Sequence, residues 1–163
     1  MKELEDYTWF PKLLRNFQTE FIGFVVSKFN VYDGFVQYLN KHSLSSETMT
    51  DLCSGSGEPA IGIFIKSNGF NKLVLTDKYP NILNSVDERI LYHAEPMDVM
   101  KMEFKPDTCY TMFNAFHHFT DEDKLKIIQK IQVSGSAAFF AEILKPRVDC
   151  ILKVFLTTTL GTL

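Results

Sequence analysis

Several protein classes announce themselves by features that this chain has little of. Cysteine is scarce: there are three, Cys53, Cys109 and Cys150, an odd number with no CxxC pair. That argues against a disulfide framework and against a structural zinc site, and free thiols fit a reducing, cytoplasmic compartment. The His and Asp residues show no ligand spacing of the kind metal sites use, so no metal is expected. Positive charge is not in excess. The 17 Lys and Arg face 20 Asp and Glu, a net charge of −3, and no basic run stands out. Nothing there suggests a footprint for a nucleic-acid backbone. No apolar stretch approaches the length of a membrane span. The N-terminus, Met1 to Asp6, is acidic and lacks the apolar core of a signal peptide. What the chain does have is phenylalanine, 15 of its 163 residues, within a hydrophobic fraction of 45%. That composition supports a real core in a single domain with a small appendage, and an aromatic-rich interior or a greasy cleft.

The first 45 residues read as helical. Pro11 suits a first helical turn, where its missing N–H costs nothing. Leu13, Leu14 and Phe17 share a face, Phe21, Ile22, Val25, Val26 and Phe29 form a second run, and Phe35, Val36 and Leu39 a third after Gly34. From residue 46 the rhythm changes. Short β-prone runs at Thr48–Cys53, Lys72–Thr76, Ile90–His93, Thr108–Phe113 and Ser136–Ala141 alternate with helical stretches at Pro59–Ile65, Asn81–Glu88, Asp121–Gln132 and Asp149–Leu156. In the third of these stretches, Leu125, Ile127, Ile128 and Ile131 form the apolar side. Such alternation predicts an α/β fold: a Rossmann-like parallel sheet of about five strands with helices on both faces, over residues 46–163, behind an N-terminal helical cap, residues 1–45.

The turn after the first strand, Gly55-Ser56-Gly57, carries the strongest chemical signal. Glycines there let a ligand approach the backbone, and the following helix presents unpaired N–H groups. By itself the turn suits three readings: an adenosyl cradle, a dinucleotide fingerprint through Gly55-x-Gly57-x-x-Ala60, or a plain strand-to-helix connection. Asp77, at the end of the second strand, is placed to accept the two hydroxyls of a ribose, which fits both cofactor classes.

Further on, Ala94-Glu95-Pro96-Met97-Asp98-Val99 follows the third strand and Asn114-Ala115-Phe116-His117-His118-Phe119 the fourth. With Asp51-Leu52-Cys53-Ser54-Gly55-Ser56-Gly57, these segments resemble the class I S-adenosylmethionine-dependent methyltransferases over roughly residues 48–145. Cys53 stands where that family's first motif often has a glycine. The resemblance implies S-adenosylmethionine as cofactor, held by Asp51, Cys53, Gly55 and Gly57 around the loop. Asp77 would sit at the ribose, Met97 and Asp98 at the adenine, and Asn114 and Ala115 beside the methionyl part. Glu142-Ile143-Leu144 looks like the family's glutamate turn into the next helix. The place after the fourth strand lacks the Pro-Pro-aromatic motif of nucleotide-modifying members, so a small-molecule acceptor is expected.

Where the acceptor has to lose a proton, His117 and His118 are the candidate bases. Tyr7, Trp9, Phe10, Arg15 and Tyr32 are expected at the mouth, with Arg15 suited to a carboxylate. The family usually adds two more strands after the fifth. Their apparent lack here predicts a C-terminally truncated domain with an exposed sheet edge that a second copy could cover. A cofactor-binding module without activity and a nicotinamide-dependent oxidoreductase are the competing readings.

Overall fold

The computed structural model describes residues 9–42, 46–81 and 87–142. Two helices come first, α1 (Lys12–Lys28) and α2 (Asp33–Lys41). Then follow β1 (Thr48–Leu52), α3 (Ala60–Lys66), β2 (Lys72–Thr76), β3 (Ile90–Tyr92), β4 (Thr108–Phe113), α4 (Asp121–Ser134) and β5 (Ala137–Ala141). The five strands form one sheet in the order β3-β2-β1-β4-β5, and every pairing is parallel. This is the α/β, Rossmann-like arrangement expected from the alternating pattern.

Side chains alternate between two cores, as the period of a strand requires. Met49, Leu73, Leu75, Ile90, Cys109 and Phe113 point to one face, where Val36 and Leu39 of α2 and Ile63 and Phe64 of α3 cover them. Leu52, Tyr110 and Met112 point to the other, under Ile127 and Ile131 of α4. Helices therefore lie on both faces, and β1 and β4, at the centre, are the most completely buried strands.

Local signals explain the ends of α4. Thr120 caps it by accepting a hydrogen bond from the Asp123 N–H at 3.2 Å, Asp121 and Glu122 stand in its first turn, and Gly135 closes it in the left-handed conformation at φ +76°. Thr120→Ala is expected to cost about 1 kcal/mol, lowering the melting temperature by about 3 °C in a chain of this size. A thermal melt followed by circular dichroism checks this, and an unchanged midpoint would show that the cap contributes nothing.

The two apolar runs before residue 30 belong to one continuous helix, α1, with Gly23 inside it, and α2 starts one residue before Gly34. One reading of the sequence needs correction. Leu125 and Ile128 are 56% and 43% exposed, so the buried stripe of α4 narrows to Ile127 and Ile131. Residues 82–86 of the helix expected over 81–88, the helix expected over 149–156 and the turn through Ile143 and Leu144 fall outside the described residues. Among the described residues no helix is long and apolar enough to cross a membrane.

Candidate functional site

Strand order reverses between β1 and β4, and in open parallel sheets the crevice beyond the carboxyl ends of such a pair is where ligands bind. A cleft of about 460 Å³ opens at that point, within the range of small-molecule sites. The loops that follow four of the five strands reach it: Cys53, Ser54 and Gly55 after β1, Asp77, Lys78 and Tyr79 after β2, Met97 and Asp98 after β3, Asn114 and Ala115 after β4.

The backbone is strained on both sides of the switch point. Cys53 has φ +58° and Asn114 φ +54°, while Gly55 and Gly57 take +53° and +88°. Asparagine tolerates the left-handed region. Cysteine does so at a cost on the order of 1–2 kcal/mol, which explains why glycine would suit position 53. Such strain gathers at binding sites, where the surrounding structure holds it in place.

Asp77 organises the glycine loop. Its Oδ2 accepts from the Gly55 N–H at 2.8 Å and its Oδ1 from the Tyr79 N–H at 2.7 Å. Its backbone carbonyl accepts from the Met97 N–H at 2.8 Å, which ties the loop after β3 to the loop after β2. Two other loop amides bond within the chain: Ser54 N–H to the Thr76 carbonyl at 2.9 Å and Gly57 N–H to the Ser54 carbonyl at 2.7 Å. Tyr92 buttresses the turn from below, donating to the Gly55 carbonyl at 2.6 Å, and burial pushes its hydroxyl up to about 12. Asp98 accepts from the Met100 N–H at 3.0 Å and lies 3.6 Å from the Lys78 ammonium.

α1 crosses the cleft as a strap. Ser56 donates to the Thr19 carbonyl at 3.2 Å, and Asn16 donates to the Asn81 side chain at 3.0 Å, which itself donates to Glu20 at 3.2 Å. The Arg15 guanidinium sits 4.2 Å from the Tyr79 ring centroid, a stacked cation–aromatic contact.

The cleft thus gathers Cys53, Gly55, Asp77, Met97, Asp98, Asn114, Ala115, His118 and Arg15 of the residues singled out from the sequence. It leaves out Asp51, Gly57 and His117. Asp51 is buried under the sheet end and accepts from the Thr111 hydroxyl at 2.6 Å across the β1–β4 pairing. Burial, opposed by the Thr111 and Ser54 hydrogen bonds and assisted by the Asp77 charge, lifts its carboxyl to about 7. Gly57 packs against Ile61 and Leu75. His117 turns to Glu142, with Nδ1 2.7 Å from Oε2, while the Phe116 N–H donates to the other carboxylate oxygen at 2.7 Å. Trp9, Phe10 and Tyr32 do not line the cleft. Tyr32 instead packs on Phe113 and donates to Asn114 at 3.4 Å. Tyr7 lies outside the described residues.

No family model matches the chain, and no curated protein matches it either.

The chemistry open to the cleft follows from its lining. Burial holds the Cys53 thiol far above its ordinary range, so it is protonated and a poor nucleophile. Among the described residues no group of three or more His, Cys, Asp or Glu is placed to hold a metal ion. What remains is a cleft with a largely apolar lining, in which the carboxylates Glu58, Asp77, Asp98 and Asp123 outnumber the cations Arg15 and Lys78. Thr19, Asn16, Tyr79 and Asn81 were not foreseen from the sequence. Asn16, Thr19 and Gly23 recur at helical spacing along α1, a stripe of small and polar side chains that could have been read as a packing face.

Proposed function

We propose that this chain binds S-adenosylmethionine in the cleft and methylates a small molecule there, as a cytoplasmic enzyme. The observation that carries the reading is the placement of Asp77 directly after β2 and of Asp98 in the loop after β3, in a cleft whose loop amides are turned inward. A dinucleotide needs those amides and the helix end for its diphosphate. Here the Ser54, Gly55 and Gly57 N–H groups are already bonded, and the lining is acidic. A ligand that carries ribose hydroxyls, an exocyclic amine and a positive charge suits that lining better than a doubly negative diphosphate.

The residues fit such a ligand. Asp77 would take the ribose hydroxyls with its remaining lone pairs, Asp98 the adenine amine, with Met97 and Met100 beside the ring. Asn114 and Ala115 would border the methionyl part, and Arg15 its carboxylate. The cofactor supplies an activated methyl group, so the protein's task is to orient the acceptor and exclude water. The strap formed by α1 serves the second of these. His118 faces the cleft and is placed to take a proton from an acceptor that carries one. His117, held by Glu142, fixes the turn on which His118 sits.

Calorimetry with S-adenosylmethionine, its demethylated product and NAD tests this. Both adenosyl compounds are expected to bind, and Asp98→Ala to weaken them about 10- to 100-fold, the loss of a charge-assisted hydrogen bond. Binding of NAD alone would overturn the reading in favour of an oxidoreductase. Adenosyl binding with wild-type turnover in His118→Ala would remove the proposed base.

A further inference from the structure

α1 is amphipathic in the reverse of the usual sense. Its polar and small face, with Asn16, Thr19 and Gly23, packs on the glycine loop and the loop after β2. Its apolar face points away from the body of the protein. Leu13, Leu14, Phe17, Phe21 and Phe24 are 80%, 52%, 69%, 44% and 59% exposed, and Phe29 just beyond the helix is 71% exposed. At 100° per residue the five helical positions fall within one wedge about 100° wide. Lys28 is the one charged residue on the same wedge, near its end.

Together these side chains present on the order of 700 Å² of apolar surface, taking about 200 Å² for a whole aromatic side chain. A soluble monomer rarely exposes a contiguous apolar patch above about 600 Å². One partner in an interface of ordinary size contributes about 800 Å². We infer that this face is covered by the same face of a second copy of the chain, with two α1 helices packed antiparallel about a two-fold axis.

The stripe has the symmetry that such pairing requires. Phe17 and Phe21 flank its midpoint, and Leu14 and Phe24 stand five residues to either side of it, so a two-fold axis between Phe17 and Phe21 lays Phe17 on Phe21 and Leu14 on Phe24. The middle of the stripe carries no charge that would be left unpaired on association. The chain's net charge of −3 disfavours the alternative of an anionic lipid surface. The pairing uses the surface of the cap and leaves the β5 edge and the cleft untouched, so it stands apart from the cofactor reading.

Sedimentation of the full chain at micromolar concentration tests it. The wild type is expected to be a dimer. Leu14→Lys and Phe24→Glu, each alone, are expected to weaken association about 10-fold or more, with unchanged far-ultraviolet circular dichroism. Mixing the two variants is expected to restore a dimer, because charges of opposite sign then meet at one end and the native Leu–Phe contact survives at the other. The milder Phe17→Ala gives a second reading should either charged variant fold poorly. A monomeric wild type, variants that dimerise unchanged, or a mixture that stays monomeric would each overturn the proposal. So would a wild-type monomer that binds lipid vesicles.

Discussion

Gly57→Ala is expected to lower stability by about 2–3 kcal/mol. Two costs add. The backbone at φ +88° is open to glycine and strained for any side chain, at about 1–2 kcal/mol. A Cβ built there stands 2.8 Å from Ile61 Cδ1 and 3.1 Å from Leu75 Cδ1, the first inside any real contact distance. Leu75 is buried and Ile61 half-buried, and turning their terminal methyl groups aside costs about 1 kcal/mol, the low end of overpacking. Gly34 supplies the control. Nothing lies within 4 Å of its missing Cβ and it sits inside α2, so Gly34→Ala should stabilise by about 0.5–1 kcal/mol. Urea titrations of both variants check the pair. If Gly57→Ala unfolded at the wild-type midpoint, the loop would not be held by the packing described.

The second large effect is a pH dependence centred on Asp51. Its carboxyl has an ordinary value of 3.8 and is lifted to about 7 in the folded protein, burial being the main cause. The folded state therefore holds a proton that the unfolded state releases. The contribution of Asp51 is fully favourable below pH 4 and is lost as the pH rises through 7. Asp51→Asn keeps an acceptor for the Thr111 hydroxyl and removes the titration. Measured as the difference between variant and wild type, the relative stability of Asp51→Asn should rise between pH 4 and pH 8 by on the order of 3 kcal/mol. Thermal melts at one-unit pH intervals test this. A difference that does not change with pH would mean that Asp51 stays charged in the fold.

These two positions also mark how far the sequence could be read. Gly55, Gly57 and Asp77 were legible because a tight strand-to-helix turn and a strand-end carboxylate each leave a local signature. The parallel sheet was legible for the same reason: five β-prone runs separated by helical ones allow few other layouts. Asp51 was grouped with the ligand contacts because it begins the motif, yet its role is to bond Thr111, 60 residues away, and only the β1–β4 register reveals that. His117 and His118 are identical in sequence terms. A single 3₁₀ turn, Phe116–His118, sends one to Glu142 and the other to the cleft. The apolar stripe of α1 was legible as a stripe, but not the direction in which it points. Hydrophobic periodicity says that a helix has two faces, and the usual inference is that the apolar one turns inward. Here the inward face is chosen by close approach at Gly23, where a Cβ would stand 2.9 Å from Glu58 Cβ, and by hydrogen bonds from Asn16 and Ser56.

That choice of face leaves the two ends of α1 held in different ways. Toward its C-terminal end α1 is anchored by Val26, which is buried, and by the tight fit at Gly23. Toward its N-terminal end it is held by the Asn16–Asn81 pair, the Asn81–Glu20 bond and the Arg15–Tyr79 stack. The first set resists separation because apolar surface would meet water. The second set can be exchanged for water at little net cost, since a hydrogen bond to solvent replaces each one lost. One end of α1 is therefore held by apolar burial and the other by polar ties, with the Ser56–Thr19 bond between them.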